Sequence, residues 1–356
     1  MKKSLLALAV LGAFAGAASA QSSVTVYGIV DMGIVSSSNG ASDVAGQANG
    51  RKTSLDSGGQ SASRIGFKGT EDLGNGLKAN FVLENGFSAD TGDLATANSL
   101  FSRVSTVGLS GNFGAVNAGR QTTVLKDAHD QIDPFGAAGV LGNVERIFYN
   151  GSENMTSHRV SNTVKYTSPS FSGFKAQAAY TFGEARGDNG ANRAYGLNLG
   201  YANGPLNVQL AYNNKDNSTA TFPYAQGTKQ KTAFLGATYD FGMFKLHGAY
   251  ADTKNDLVAP AVDQKYRNAM IGASFKAGAA GTVLASYAIN DTKTTGINNA
   301  DSKQFAIGYT HDLSKRTNLY TGFARTSNDA AAALGGFDAR ADKNVSVVTV
   351  GVRHKF

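Results

Sequence analysis

Taken at alternate positions, the last twelve residues of the chain divide into two unlike faces. One carries Val348, Val350, Val352, His354 and Phe356, and the other Val347, Thr349, Gly351, Arg353 and Lys355. A period of two is a strand period, so the chain ends on a strand with one apolar face and one face that tolerates two cations. The same alternation recurs upstream. Phe174, Ala176, Ala178, Tyr180 and Phe182 oppose Lys175, Gln177, Ala179 and Thr181, and Leu206, Val208, Leu210 and Tyr212 oppose Asn207, Gln209 and Asn213. Leu235, Ala237, Tyr239 and Phe241 oppose Thr238 and Asp240. A chain made of such strands must either pack its apolar faces together or turn them toward lipid.

The other terminus bears on that choice. Lys2 and Lys3 precede an apolar run over 5–15, and Ala18-Ser19-Ala20 stands before Gln21, the pattern of a cleavable signal peptide over 1–20. The run is too short for a spanning helix, which needs ~20 residues. The expected mature chain, 21–356, is a single domain of 336 residues with no later segment apolar enough to span as a helix. If it sits in a membrane, it crosses with strands. Zero cysteine excludes a disulfide framework and thiolate metal sites. The mean hydropathy of −0.21 is that of a soluble protein, but inward polar and outward apolar residues cancel in the same way in a barrel. Without Lys2 and Lys3 there are 31 cations and 26 anions, a net +5. Their scatter among strands and loops places their partner in a lumen rather than on nucleic acid.

Strands are expected near 23–36, 60–72, 77–88, 99–110 and 115–124, with a polar loop up to residue 59. Leu73-Gly-Asn-Gly76 and Gly111-Asn-Phe-Gly114 are hairpin turns, and short turns return near 169–173, 203–205, 241–243, 277–281 and 312–316. Longer polar segments alternate with them. The count is sixteen strands at about 21 residues per repeat, room for tilted spanning strands of ~9–11 residues. An even count lets the last strand pair with the first, leaving no open edge in lipid. Phe182, Tyr212, Phe241, Phe244 and Tyr250 fall where interfacial girdles belong.

Several segments carry a family likeness: Ser23-Val-Thr-Val-Tyr-Gly-Ile-Val-Asp31, Ser63-Arg-Ile-Gly-Phe-Lys-Gly-Thr-Glu-Asp-Leu-Gly-Asn-Gly76, Phe113-Gly-Ala-Val-Asn-Ala-Gly-Arg-Gln121, Arg159-Val-Ser-Asn-Thr-Val-Lys-Tyr166 and Gly351-Val-Arg-His-Lys-Phe356. Across the mature chain the sequence resembles the general diffusion porins of Gram-negative bacteria, in their neisserial and beta-proteobacterial branch. That resemblance implies an all-β, closed sixteen-stranded antiparallel barrel in the outer membrane with a third loop folded into the pore. It further implies a homotrimer among outer-membrane lipid and lipopolysaccharide, inserted by the barrel assembly machinery with Phe356 as assembly signal, passing ions and small hydrophilic solutes passively.

The longest segment without strand pattern, about 125–156, is the third long connection. It carries Asp127, Asp130, Asp133 and Glu145, diluted by Lys126 and Arg146. Asp133-Pro-Phe-Gly136 departs from the family's loop motif, which has an acid between its Pro and Phe. The family's wall arginines match Arg64, Arg103 and Arg159, with Lys68 and Lys165 on the same parity and Arg120 undecided in direction. Cations facing acids across a narrow opening set up a transverse field and bias ion passage. The plainer alternatives are arginines that pair locally for stability and acids solvated on an outer loop. No cofactor or metal is expected, and no nucleotide-binding, zinc or serine-hydrolase motif appears. A barrel enzyme would need a rim constellation that cannot be assembled from these residues, and a plugged structural barrel would not need a charged ladder. A weakly anion-selective channel is the expectation.

Overall fold

The computed structural model describes residues 23–39, 50–136, 139, 145–148, 159–184, 186, 190–216, 228–257, 264–293, 300–334 and 341–356. The expected leader and most of the long outer connections lie outside the described residues. The strands are β1 (Ser23–Ser38), β2 (Arg51–Ser57), β3 (Arg64–Gly74), β4 (Leu77–Gly86), β5 (Val104–Gly111), β6 (Gly114–Thr122), β7 (Arg159–Thr167), β8 (Phe174–Thr181) and β9 (Ala194–Asn203). They continue as β10 (Leu206–Asp216), β11 (Thr228–Asp240), β12 (Phe244–Leu257), β13 (Gln264–Ala277), β14 (Gly281–Thr292), β15 (Ser302–Asp312), β16 (Thr317–Asn328) and β17 (Val345–Lys355). Two short helices, α1 (Val124–His129) and α2 (Glu145–Phe148), lie between β6 and β7.

These seventeen segments make sixteen staves. One edge of β1 pairs with β17, from Ile29↔Lys355 to Ser38↔Ser346. Its other edge pairs with β3 from Ser23↔Thr70 to Ile29↔Arg64, and then with β2 from Met32↔Ser57 to Ser38↔Arg51. So β2 and β3 are two halves of one stave, broken at 58–63. From β3 onward each strand pairs antiparallel with the next in the chain, and the β1–β17 pairing closes the sheet. The expected count and closure hold. The expected loop up to residue 59 does not, because 51–57 is strand and the interruption comes after it.

Parity decides the faces. On β17, Val348, Val350 and Val352 are 45%, 53% and 43% exposed, whereas Val347 and Thr349 are 3% and 1% exposed. The same outward apolar row continues through Leu197 and Leu199 on β9, Leu235 on β11 and Ile271 on β13. All seven predicted short turns join the strands they were assigned to. At the first, Gly74, Asn75 and Gly76 all adopt positive φ, the conformation that the Gly-Asn-Gly sequence makes inexpensive. Phe241 and Phe244 stack with centroids 4.6 Å apart at the β11–β12 turn, an interfacial position.

The third connection enters the barrel. Helix α1 packs against β9 and β10, and α2 against β13, β14 and β15. Where the loop presses on the wall, the lumen-facing position is glycine. A Cβ at Gly196, Gly236 or Gly272 would stand 2.6 Å from Val124, 2.7 Å from Ile132 and 2.8 Å from Pro134 respectively. Around this track, Leu125, Ala128, Ile132, Ile147 and Phe148 of the loop bury against Phe234 and Met270 of the wall. Two polar anchors fix the course: His247 Nδ1 lies 2.6 Å from the Ile132 carbonyl, and Asn268 Nδ2 donates to the Phe148 carbonyl at 2.7 Å.

Candidate functional site

The basic wall is organised around an acid. Glu84, on the lumen parity of β4, is 8% exposed. Its Oε1 accepts from Arg103 Nε at 2.6 Å and stands 3.9 Å from Arg64 Nη1. Its Oε2 accepts from the Tyr27 hydroxyl at 3.0 Å. Two arginines therefore share one carboxylate and leave a net positive charge. Arg103 precedes β5 by one residue, so the Glu84 contact fixes its direction where strand parity does not. Lys68 extends the patch, with its ammonium 5.3 Å from the centroid of the Tyr27 ring. Arg120 sits at an irregularity in the β6–β7 register and donates from Nε to the Ser102 carbonyl at 2.7 Å and from Nη1 to Ser161 Oγ at 3.1 Å.

The loop acids divide by role. Asp127 is pinned to the wall, where Lys165 Nζ donates to its Oδ2 at 2.6 Å and Gln177 Nε2 at 3.1 Å, while the Thr122 hydroxyl donates to its Oδ1. Lys165 also reaches the Thr122 carbonyl at 3.0 Å. This pair joins loop to barrel. Asp133 is buried and accepts from the Phe135 amide at 2.9 Å, an Asx turn that shapes the loop's corner. Asp130 has a side chain 39% exposed and pairs with Lys126 one helical turn earlier. Desolvation raises its carboxyl above the ordinary range, while Lys126 and, more weakly, Arg159 at the head of β7 oppose that shift. Glu145 opens α2, and its side chain lies outside the described residues. Arg64 and Arg103 thus come together with Glu84, Lys165 comes together with Asp127, and Arg159 comes within electrostatic reach of Asp130.

A second cluster was missed by the sequence analysis. Asp31, fully buried on β1, accepts from Tyr320 Oη at 2.7 Å and from the amides of Gln60 and Ser61 at 3.0 and 2.6 Å. These bonds hold the break at 58–63, and an apolar side chain at 31 would leave three donors unsatisfied. The signal was present: Asp31 shares the inward parity of Tyr27 and faces no cation in its own strand.

At the chain's end, Gly28 and Phe356 exchange both backbone hydrogen bonds, at 3.0 and 3.1 Å. The Phe356 ring covers Gly28, where a Cβ would stand 2.3 Å from it.

A closed barrel with an apolar outer face and a charged lumen crossed by its own loop is a transmembrane diffusion pore. The sequence comparisons give the family. Residues 7–331 match the profile described as Gram-negative porin. Outer membrane porin protein 32 of Delftia acidovorans is 39% identical over 373 residues, all of both chains. The major outer membrane protein P.IB of Neisseria gonorrhoeae is 31% identical over 385 residues, again all of both chains. A solved structure described as an anion-selective porin from Comamonas acidovorans superposes with a TM-score of 0.81 at 34% identity, over 94% of this chain and 100% of that one. The chain belongs to the Gram-negative porin family, and it is an outer-membrane channel for passive diffusion.

Proposed function

We propose that the pore prefers anions, and that Arg64, Arg103, Arg159, Lys68 and Arg120 on the wall impose the preference. The observation that carries this is the charge count around the constriction. Among the residues whose side chains are described, seven cations (Arg64, Arg103, Arg120, Arg159, Lys68, Lys126, Lys165) stand with four acids (Glu84, Asp127, Asp130, Asp133). Lys165 and Lys126 are paired with Asp127 and Asp130, so the surplus lies on the wall. The anion selectivity named for the Comamonas relative supports the same sign. Screening over a Debye length of ~10 Å at 0.1 M salt keeps the bias modest and makes it shrink as salt rises.

Reversal potentials across a planar bilayer under a KCl gradient test this. Replacing Arg103 and Arg159 together by Gln should move the potential toward cations. Glu84→Gln should move it the other way. A unit charge at ~4 Å in water is worth about 1 kcal/mol, so Glu84→Gln should alter the permeability ratio by about fivefold at low salt and the double arginine variant, which removes two charges, by more. Unchanged potentials in both variants would remove the wall from selectivity.

Family membership also supports a homotrimer set among lipopolysaccharide, with the leader over 1–20 removed on export and Phe356 read by the barrel assembly machinery. Deleting Phe356 removes the last backbone pairing with β1 and the ring over Gly28. Trimer in the outer membrane, measured on unheated gels, should fall to a small fraction of wild type while export to the periplasm continues. Normal trimer levels would refute the assembly role.

A further inference from the structure

Beside the loop's corner the lumen holds a recess of about 190 Å³. Pro134 and Phe135 of the loop form one side, Leu284 and Gly308 of the wall the other, and Gln60 and Thr310 the rim. Leu284 shares the inward parity of Ser286, Ala288 and Asn290, so an apolar side chain occupies a position where this lumen is mostly polar. Its register partner on β15 is Gly308, buried on the lumen parity, and the partner of Gly308 on β16 is Gly322. Two adjacent positions without side chains leave the hollow open. A cavity of ~150 Å³ lined by apolar side chains accommodates benzene, so the space fits a six-membered ring.

The rim connects to the cations. Asn318 Nδ2 donates to Gln60 Oε1 at 2.7 Å, and Arg353 donates from Nε to Asn318 Oδ1 at 2.9 Å and from Nη1 to Ser61 Oγ at 2.9 Å. Two acids act electrostatically on Arg353, and of these Asp31 is committed to Tyr320 and to the Gln60 and Ser61 amides, while Asp312 lies at the end of β15. Arg64 follows Gln60 by four residues, at the start of β3. An apolar hollow thus lies beside a basic wall.

We propose that this recess is a subsite for the hydrocarbon part of small amphiphilic anions, aromatic monocarboxylates foremost, whose carboxylate faces Arg353 and Arg64. The proposal rests on the anion preference above for the carboxylate half and on the recess for the ring half.

Block of single-channel KCl current separates the two halves. Benzoate should half-block at a concentration about tenfold below acetate, the weight of partly burying one ring face. Benzyl alcohol, with a ring and no charge, should block no better than acetate. Gly308→Leu fills the hollow and Leu284→Asn makes it polar, and in each the benzoate-to-acetate ratio should fall to near one. Gel mobility of the unheated trimer confirms assembly of each variant, and Leu284→Asn stands alone if Gly308→Leu does not assemble. Equal block by benzoate and acetate in the wild-type pore overturns the proposal, as does a tenfold ratio that survives in an assembled variant. The wild-type reversal potential under a KCl gradient reports the anion preference separately, so failure of that reading is seen independently of the ring effect.

Discussion

Replacing Asp31 by alanine will lower the temperature at which the folded barrel unfolds, read as the change in gel mobility on heating, by more than any wall-charge substitution proposed above. The side chain is fully buried and accepts from three donors, the Tyr320 hydroxyl and the Gln60 and Ser61 amides. A buried donor left without a partner costs ~1–3 kcal/mol, so the loss should be on the order of 3 kcal/mol or more. The effect should also be local. Ser61 Oγ accepts from Arg353, and Gln60 Oε1 from Asn318, so releasing 58–63 disturbs one side of the lumen and should make the open-channel current noisier. Tyr320→Phe removes one of the three bonds and should cost a third as much or less. An Asp31→Ala protein whose heat transition superimposes on wild type would show that the break is held by something else.

The barrel was legible because its rule is local. A strand of either face can be read from alternate residues, and Val348, Val350 and Val352 fell outward as their parity required. Turn chemistry was equally local, as Gly74-Asn75-Gly76 shows. What escaped was set by contacts distant in sequence. Arg51 to Ser57 has no clean apolar face, so β2 is strand because β1 supplies its partner. The break at 58–63 exists because Asp31, some thirty residues earlier, caps it. The arginines could be picked out by family likeness, but Glu84 between them was passed over although it lies on the polar parity of its strand. Asp133 reads as a pore acid, and its Oδ1 also accepts from the Phe135 amide across the adjacent Pro-Phe turn. The glycine track of Gly196, Gly236 and Gly272 was hidden among 43 glycines, because only the loop's course separates a seat from a spacer.

The pair that joins loop to barrel gives the second large effect. Lys165→Met should destabilise the barrel by roughly 2 kcal/mol, below the ~3–5 kcal/mol for one partner of a fully buried pair because Asp127 keeps some contact with water. The Asp127 side chain is 21% exposed and would retain only the Thr122 hydroxyl and Gln177 as donors. The apolar seat of Ile132 and Pro134 over Gly236 and Gly272 does not depend on Lys165, so the loop should stay in the lumen while its α1 end loosens. Electrically, the loss of Lys165 leaves Asp127 unbalanced, one unit of negative charge, so the reversal potential should shift toward cations by about as much as in a single arginine variant. Adding Asp127→Asn to Lys165→Met removes the stranded charge. The double variant should then recover more than half of the lost stability, a coupling within the ~0.5–3 kcal/mol found for interacting neighbours. If instead the two substitutions simply add, Lys165 and Asp127 do not hold the loop together, and its position must rest on the glycine track and the apolar packing alone.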